Sequence, residues 1–217
     1  MKISGYRVIK GKEQFNHTFG GVNWKTPVCV NCLAPMHLIF CFDLTDPRLN
    51  GHYKVKLESL PLVTCLNCSG YWAPQVFQLD PIANAITIVK QTDVEHWIME
   101  DEDKLPVPLP LSNVKLIPLT KKDILLDDLD NDESFTLFGS EYICRLLGPP
   151  LFATDKIQKR CSSCSKEMQY IATVCSEDYD SEGLIHEGFS FHIGESFIFF
   201  YLCTDCLRLE TEMQSTS

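Results

Sequence analysis

The chain has 217 residues, of which 45% are apolar and 22% are charged, a composition that can bury a core. Its 29 acidic and 19 basic residues give a net charge of −10, which repels phosphate backbones and favours a basic partner. No segment approaches the roughly 18 apolar residues of a membrane span, so we expect no membrane contact.

The first residues, MKISGYRVIKGKEQF, lack the apolar run of a secretory signal, and a cytoplasmic location is expected. The chain contains eleven cysteines, an odd number that cannot all pair within the chain. Disulfide scaffolds of secreted proteins are therefore disfavoured.

Residues 1–98 are predicted to form the first of two zinc-binding β halves. They contain two Cys-x-x-Cys turns, here called knuckles: knuckle 1 is Cys29/Cys32 in CVNC, and knuckle 2 is Cys65/Cys68 in CLNC. Strand signals follow in HLIFCFDL, LPLVT, YWAPQVFQLD and NAITIVKQ. Before knuckle 1, the pair Gly20-Gly21 is too short to cradle a phosphate and predicts a turn with positive φ.

Residues 99–133 are predicted to form an acidic linker, because four prolines favour extended backbone there. Ten acids and four bases between residues 100 and 133 give this segment a net charge of −6. Two interpretations stay open, a solvated linker or an acidic face for a basic partner. In the second interpretation, the candidate partner-binding residues are Asp127, Asp128 and Asp130.

Residues 134–217 are predicted to form the second zinc-binding β half. Knuckle 3 is Cys161/Cys164 in CSSC, and knuckle 4 is Cys203/Cys206 in CTDC. The apolar run at residues 197–203 predicts a buried strand, and the alternation in GFSFHIGES predicts another. The acidic variable loop before GFSFHIGES adds Glu177, Asp178 and Asp180 as candidate partner-binding residues.

The two halves share a motif that indicates a duplicated unit. CVNCLAPMHLI and CSSCSKEMQYI both match C-x-x-C-x-x-x-M-x-x-I at an offset of 132 residues. The expected fold is mainly β, with two pseudo-repeated halves that resemble zinc ribbons and a proline-containing linker between them.

The eight knuckle cysteines have the spacing of two closed tetrahedral zinc sites. We therefore expect two Zn²⁺ ions per chain; redox-active dithiols, iron–sulfur clusters and ordinary core cysteines are the alternatives. Pairing of the knuckles within each half is preferred because the unit is repeated, and a crossed pairing stays open. A site with four protein ligands has no open position for water, so the expected role is structural.

No arrangement of residues in the sequence indicates catalysis. The six histidines form no zincin motif, and the remaining cysteines, Cys41, Cys144 and Cys175, lie in apolar stretches that favour inert core thiols. The expectation is a protein that is not an enzyme.

The segments GGVNWKTPVCVNCLAPMHLIFCFDL and CSSCSKEMQYIATVCSED resemble the bacterial zinc-binding relatives of the programmed-cell-death-protein-two-like family. In that family a Gly-Gly turn and a Trp precede a Cys-x-x-Cys knuckle, which a Met and a strand follow. This chain departs from the pattern at Leu33 and Ser165, where the family usually has glycine. The resemblance implies a β-rich fold that holds other proteins; some bacterial relatives are immunity proteins, and eukaryotic relatives chaperone a basic ribosomal protein.

The favoured function is an immunity protein that binds a basic cognate toxin and blocks it sterically, with Trp72, Trp97, Phe152 and Tyr179 as candidate anchors. The first alternative is a dedicated chaperone for a basic ribosomal protein. The second is a zinc-ribbon protein that binds nucleic acid, which the net charge disfavours.

Overall fold

The computed structural model describes residues 4–53, 57–92, 95–123, 138–151, 154 and 156–215. They form one curled antiparallel sheet, which confirms the prediction of a mainly β fold. Its strands in chain order are β1 (Tyr6–Lys10), β2 (Thr18–Phe19), β3 (His37–Asp43), β4 (Ser59–Thr64), β5 (Gln75–Asp80), β6 (Ala85–Lys90), β7 (Ser112–Pro118), β8 (Cys144–Leu146), β9 (Gln169–Val174), β10 (Ser196–Cys203) and β11 (Arg208–Ser215). A short helix, α1 (Pro47–Asn50), and two 3-10 turns, Ser69–Trp72 and Lys121–Asp123, complete the named elements. None of the described helices has the length and apolar character needed to cross a membrane.

The order of strands across the sheet is β4-β3-β2-β7-β1-β8-β9-β10-β11-β5-β6. On one side of the sheet β3 lies between β2 and β4, and on the other side β9 lies between β8 and β10 in the same way. Strand β10 is apolar after Ser196 and is buried along its whole length, which confirms the strand predicted at residues 197–203. The central strands therefore supply much of the core.

These two groups of three strands also share an irregularity at the last residue of the repeated motif. Ile39 in β3 and Ile171 in β9 are each an extra residue in the pairing with the next strand, which makes a β-bulge. The Ile39 carbonyl accepts a hydrogen bond from the Gly20 N–H at 2.9 Å, and the Ile171 carbonyl accepts one from the Leu147 N–H at 2.7 Å. Gly20 and Leu147 both have positive φ, at 63° and 58°, so the turn predicted at Gly20-Gly21 is confirmed.

Strand β1, in the first predicted half, pairs with two strands that lie beyond that half. Strand β1 lies between β7 and β8, and β7 lies between β1 and β2. Strand β7 falls inside residues 99–133, so part of the segment that the sequence analysis assigned to the linker belongs to the sheet instead. The physical reason is its alternation, because Val114 and Leu116 are buried while their neighbours are more exposed.

The segment GFSFHIGES differs from the prediction, because only its last residue, Ser196, belongs to a regular strand, where β10 begins. Phe191 and Ile193 are buried, as the alternation indicates. However, the backbone at Ile193 and Gly194 is hydrogen-bonded by the Ser176 side chain. Its hydroxyl accepts from the Ile193 N–H at 2.8 Å and donates to the Gly194 carbonyl at 2.7 Å. Side-chain hydrogen bonds thus satisfy the backbone that a sheet ladder would otherwise pair.

Candidate metal centres

The described residues bring the eight knuckle cysteines together as two groups of four. The first centre is formed by knuckles 1 and 2, and its four sulfur atoms all lie within 4.8 Å of one another. The Sγ–Sγ distances are 3.6 Å between Cys29 and Cys68, 3.5 Å between Cys32 and Cys65, and 3.4 Å between Cys65 and Cys68. A tetrahedral zinc site with Zn–S bonds of about 2.3 Å requires sulfur separations of about 3.8 Å, so the four sulfurs fit such an ion.

The second centre is formed by knuckles 3 and 4 in the same way. Its four sulfur atoms also lie within 4.8 Å of one another, and the Cys164 and Cys203 Sγ atoms are 3.6 Å apart. All eleven cysteines are free thiols, so none of these pairs is a disulfide. The grouping follows the halves of the chain and does not cross between them.

Knuckles 1 and 3 have the same hydrogen bonds at the 132-residue offset. In knuckle 1, the Leu33 N–H donates to the Cys29 carbonyl, and in knuckle 3 the Ser165 N–H donates to the Cys161 carbonyl. The N–H of Met36 and that of Met168 each donate to the carbonyl nine residues earlier in the chain. The repeated Met thus closes the loop that presents each pair of thiols.

Knuckles 2 and 4 are less alike. Strand β4 runs into knuckle 2, and a 3-10 turn starts directly after Cys68, whose sulfur accepts from the Gly70 N–H at 3.4 Å. Strand β10 runs into knuckle 4, and β11 follows after Leu207, which has a positive φ of 53°. Knuckles 2 and 4 are therefore each positioned by a buried strand, which fixes where their thiols point.

Hydrogen bonds among the thiols shift their pKa values in the first centre. Bonds from Cys65 and Cys68 lower the pKa of Cys29 far below its usual value, and the same contacts with Cys29 and Cys68 raise the pKa of Cys65. The Gln91 amide supports the Cys29 thiolate by donating to its sulfur at 3.0 Å. One thiol of the group therefore ionises more readily than its neighbours, and four thiolates side by side need a bound cation.

In the second centre, burial acts against ionisation of Cys161, but the N–H groups of Cys164 and Ser163 lower its pKa to about 7. Burial raises the pKa of Cys203 to about 12. The chemistry of both donor sets, four sulfurs at tetrahedral separations, suits Zn²⁺. Such an ion would be fully coordinated by protein and would stabilise the fold.

A third cluster has no motif in the sequence: Glu13, His17 and Asp46 bring one nitrogen and two carboxylate oxygens within 4.8 Å of one another. The His17 Nδ1 atom accepts from the Asp43 N–H at 3.0 Å, so its Nε2 atom carries the proton and donates to Asp46 at 3.0 Å. The Arg48 guanidinium already forms ion pairs with Asp46 and Glu13. A cation has no place left there, and the cluster is a structural ion-pair network.

The proposed partner-binding acids have different surroundings. Asp127, Asp128 and Asp130 lie outside the described residues. Glu177 is only 1% exposed, and its carboxylate accepts from the N–H groups of Gly183 and Ile185. It holds its own loop and cannot face a partner, which corrects the prediction; Asp178 is half-buried and Asp180 is exposed.

Among the candidate aromatic anchors, Trp72 and Trp97 lie against each other, with ring centroids 5.1 Å apart and an edge-to-face arrangement. Tyr179 is exposed and stacks on the His192 ring. Phe152 lies outside the described residues. The two tryptophans are therefore next to the first centre, since the Trp97 carbonyl accepts from the Ser69 N–H directly after Cys68.

The cysteines outside the two centres are buried, as the sequence predicts. Burial raises the pKa of Cys41 to about 11 and raises the pKa values of Cys144 and Cys175 well above the usual range. A thiol that stays protonated at neutral pH is a poor nucleophile. These three cysteines therefore pack as small apolar residues.

Comparisons with models of known protein families, with curated proteins and with solved structures find no match to this chain.

Proposed function

We propose that the protein is a non-catalytic, zinc-stabilised module that binds another protein. The observation that carries this proposal is the pair of four-cysteine groups, each of which would surround its ion completely with protein ligands. Coordination of that kind leaves no position for a substrate or an activated water. Its contribution is to the folding free energy, which is the use of zinc in small binding modules.

The partner that we propose is a basic protein. The net charge of −10 would speed association with a positive surface and repel nucleic acid. More specifically, we propose that the partner is a cognate toxin and that the protein acts as an immunity protein by covering the toxin's active surface. This specific role draws on the family resemblance of the two knuckle segments.

The test is affinity capture with the tagged, zinc-loaded protein from the cells that make it, followed by reconstitution of the complex from purified components. The expected result is a basic protein bound one to one, whose toxicity to growing cells is lost in the complex. Capture of a basic ribosomal protein, kept soluble by this chain, would favour the chaperone role instead. A partner that is acidic, or a nucleic acid, contradicts both roles.

The variant for this test is Cys203→Ser, which removes one ligand of the second centre, and its matched control is Cys175→Ala. Cys203→Ser should lose the second centre's ion and keep the first, so capture should be weakened, whereas Cys175→Ala, at a buried cysteine outside the centres, should leave capture unchanged. If Cys203→Ser captures the partner as well as the unchanged protein does, binding does not depend on the zinc ion of the second centre.

A further inference from the structure

Knuckles 1 and 3 have the same backbone but expose different side chains. Val30 is 60% exposed and Leu33 is 76% exposed, and the residues at the same positions of knuckle 3 are Ser162 and Ser165. Val28, also exposed, corresponds to Arg160. The same turn is therefore apolar at the first centre and polar at the second.

Folding does not explain the leucine at position 33. Its backbone has a φ of 58°, a left-handed conformation that costs a residue with a Cβ about 1 to 2 kcal/mol. Its side chain contacts mostly water, so it gains little from burial. Ser165 has a φ of 60° at the matched position, which means that a polar side chain is accepted by the same backbone.

The exposed side chains of knuckle 1 continue into a larger apolar surface around the first centre. The Asn31 amide donates to the Trp97 carbonyl at 3.5 Å, and Trp97 packs edge-on against Trp72, which is partly exposed. Ile98, also exposed, pairs with Cys68 in a β-bridge. We call this the knuckle-1 surface, and its members are Val28, Val30, Leu33, Trp72, Trp97 and Ile98.

A turn with four exposed acids borders the knuckle-1 surface. Residues 100–103 read Glu-Asp-Glu-Asp, and Lys104 pairs with Asp101 at 2.6 Å. Asn67 lies between Cys65 and Cys68 in the sequence of knuckle 2. Its side chain forms two hydrogen bonds with the backbone of Leu105, directly after the acidic turn and Lys104. Beside the second centre, by contrast, Lys166 pairs with Asp205, and Arg208 bonds to Ser162.

We propose that the knuckle-1 surface is where the partner docks, and that its occupant is a segment with apolar side chains flanked by Lys or Arg. This inference rests on the proposed function and adds the location of the contact. Apolar side chains and the two tryptophans would supply the affinity, and the acidic turn would select basic flanking residues.

The charge at the border argues against two other occupants. In a two-fold dimer of this chain, the acidic turn of one copy would approach the same surface of its partner and be repelled. An anionic lipid surface would be repelled for the same reason. A basic protein segment is the occupant that complements both the apolar centre and the acidic border.

The test is a selection of random twelve-residue peptides on phage against the immobilised, zinc-loaded protein. Enriched peptides are then synthesised and their affinities measured for three proteins: the unchanged chain, Val30→Ser/Leu33→Ser, and Ser162→Ala/Ser165→Ala. The first variant gives knuckle 1 the polar side chains of knuckle 3, and the second is the matched control. Because all four side chains are exposed, and Ser162→Ala removes only an exposed hydrogen bond from Arg208, zinc content should be unchanged and the unfolding transition nearly so in both variants.

The expected peptides combine aromatic or aliphatic residues with Lys or Arg, and they bind Val30→Ser/Leu33→Ser at least about tenfold more weakly while binding the control unchanged. Basic peptides that bind both variants equally would overturn the docking site but leave the proposed function standing. Peptides that are mainly acidic would overturn both. If no peptide is enriched, the knuckle-1 surface is not a docking site for an extended segment and the inference fails.

Discussion

Leu33 and Ser165 occupy matched positions one residue after knuckles 1 and 3, and both have left-handed backbone, with φ values of 58° and 60°. The N–H of each donates to the carbonyl of the first cysteine in its knuckle. This hydrogen bond closes the turn that aims both thiols at one point. The turn thus requires a conformation that glycine adopts without strain and that these two side chains resist.

Replacement of either residue by glycine should stabilise the zinc-loaded protein. We expect Leu33→Gly and Ser165→Gly each to raise the free energy of unfolding by about 0.5 to 1 kcal/mol, the relief of strain minus the added entropy of the unfolded chain. Leu33→Ala retains the Cβ and should give no gain. Denaturant unfolding in the presence of zinc measures all three, and a loss of stability in Leu33→Gly would show that the turn is not strained.

The pairing of β1 with β7 and β8 predicts that residues 1–98 do not fold without the rest of the chain. A fragment of residues 1–98 removes both neighbours of β1, since β7 and β8 lie beyond it, and it also leaves β2 without β7. We expect this fragment alone to show no cooperative unfolding, and co-expression with residues 99–217 to restore a one-to-one complex. Size-exclusion chromatography and calorimetry provide the measurement; a 1–98 fragment that folds alone with zinc would contradict the account.

The buried carboxylate of Glu177 predicts a pH effect with a definite sign. Burial raises its pKa in the folded state, so the folded protein binds the proton more tightly than the unfolded chain does. The stability that this group contributes is therefore complete below the unfolded pKa of 4.5 and is lost as the pH rises through the folded value. Relative to Glu177→Gln, the unchanged protein should gain stability between pH 7 and pH 5.

The control for Glu177 is the alanine variant. Glu177→Ala leaves the N–H groups of Gly183 and Ile185 without an acceptor, and it should lose about 1 to 3 kcal/mol at every pH. Denaturant unfolding at several pH values gives the comparison. Parallel curves for the unchanged protein and Glu177→Gln would mean that the carboxylate titrates normally in the fold.

The Gln91 side chain should tune the first centre without affecting the second. Its amide donates to the Cys29 sulfur at 3.0 Å and accepts from the Val30 N–H at 3.2 Å. In a Cys203→Ser background, which isolates the first centre, Gln91→Ala should weaken zinc binding by about 10- to 100-fold in competition with a chelator. In a Cys65→Ser background the same substitution should change nothing, and a loss there would indicate general unfolding.

The spacing of Cys-x-x-Cys pairs and the runs of apolar residues were sufficient to predict a mainly β fold and the buried strand β10. These signals are local, since a knuckle needs only its own turn and a fully buried strand needs only a continuous apolar run. The left-handed backbone at Leu33 and Ser165 has no such local signal, because neither leucine nor serine favours positive φ.

Long-range pairing was not predictable in this way. Strand β7 was assigned to a linker because prolines and acids surround it, while its two buried residues, Val114 and Leu116, give a weak alternation signal. The alternation of GFSFHIGES was strong, yet the side chain of Ser176 pairs with its backbone in place of a strand. The sequence shows only that Glu177 lies in an acidic segment. The structure shows that the N–H groups of Gly183 and Ile185 donate to its buried carboxylate.

The measurement that tests the central claim most directly is native mass spectrometry of the freshly purified, reduced protein, with Cys203→Ser and Cys175→Ala beside it. The account predicts two zinc ions in the unchanged chain and in Cys175→Ala, one ion retained by the first centre in Cys203→Ser, and unfolding when a strong chelator removes both. A folded, metal-free chain, or loss of both ions from Cys203→Ser with an intact fold, would contradict two separate zinc centres that hold the sheet together.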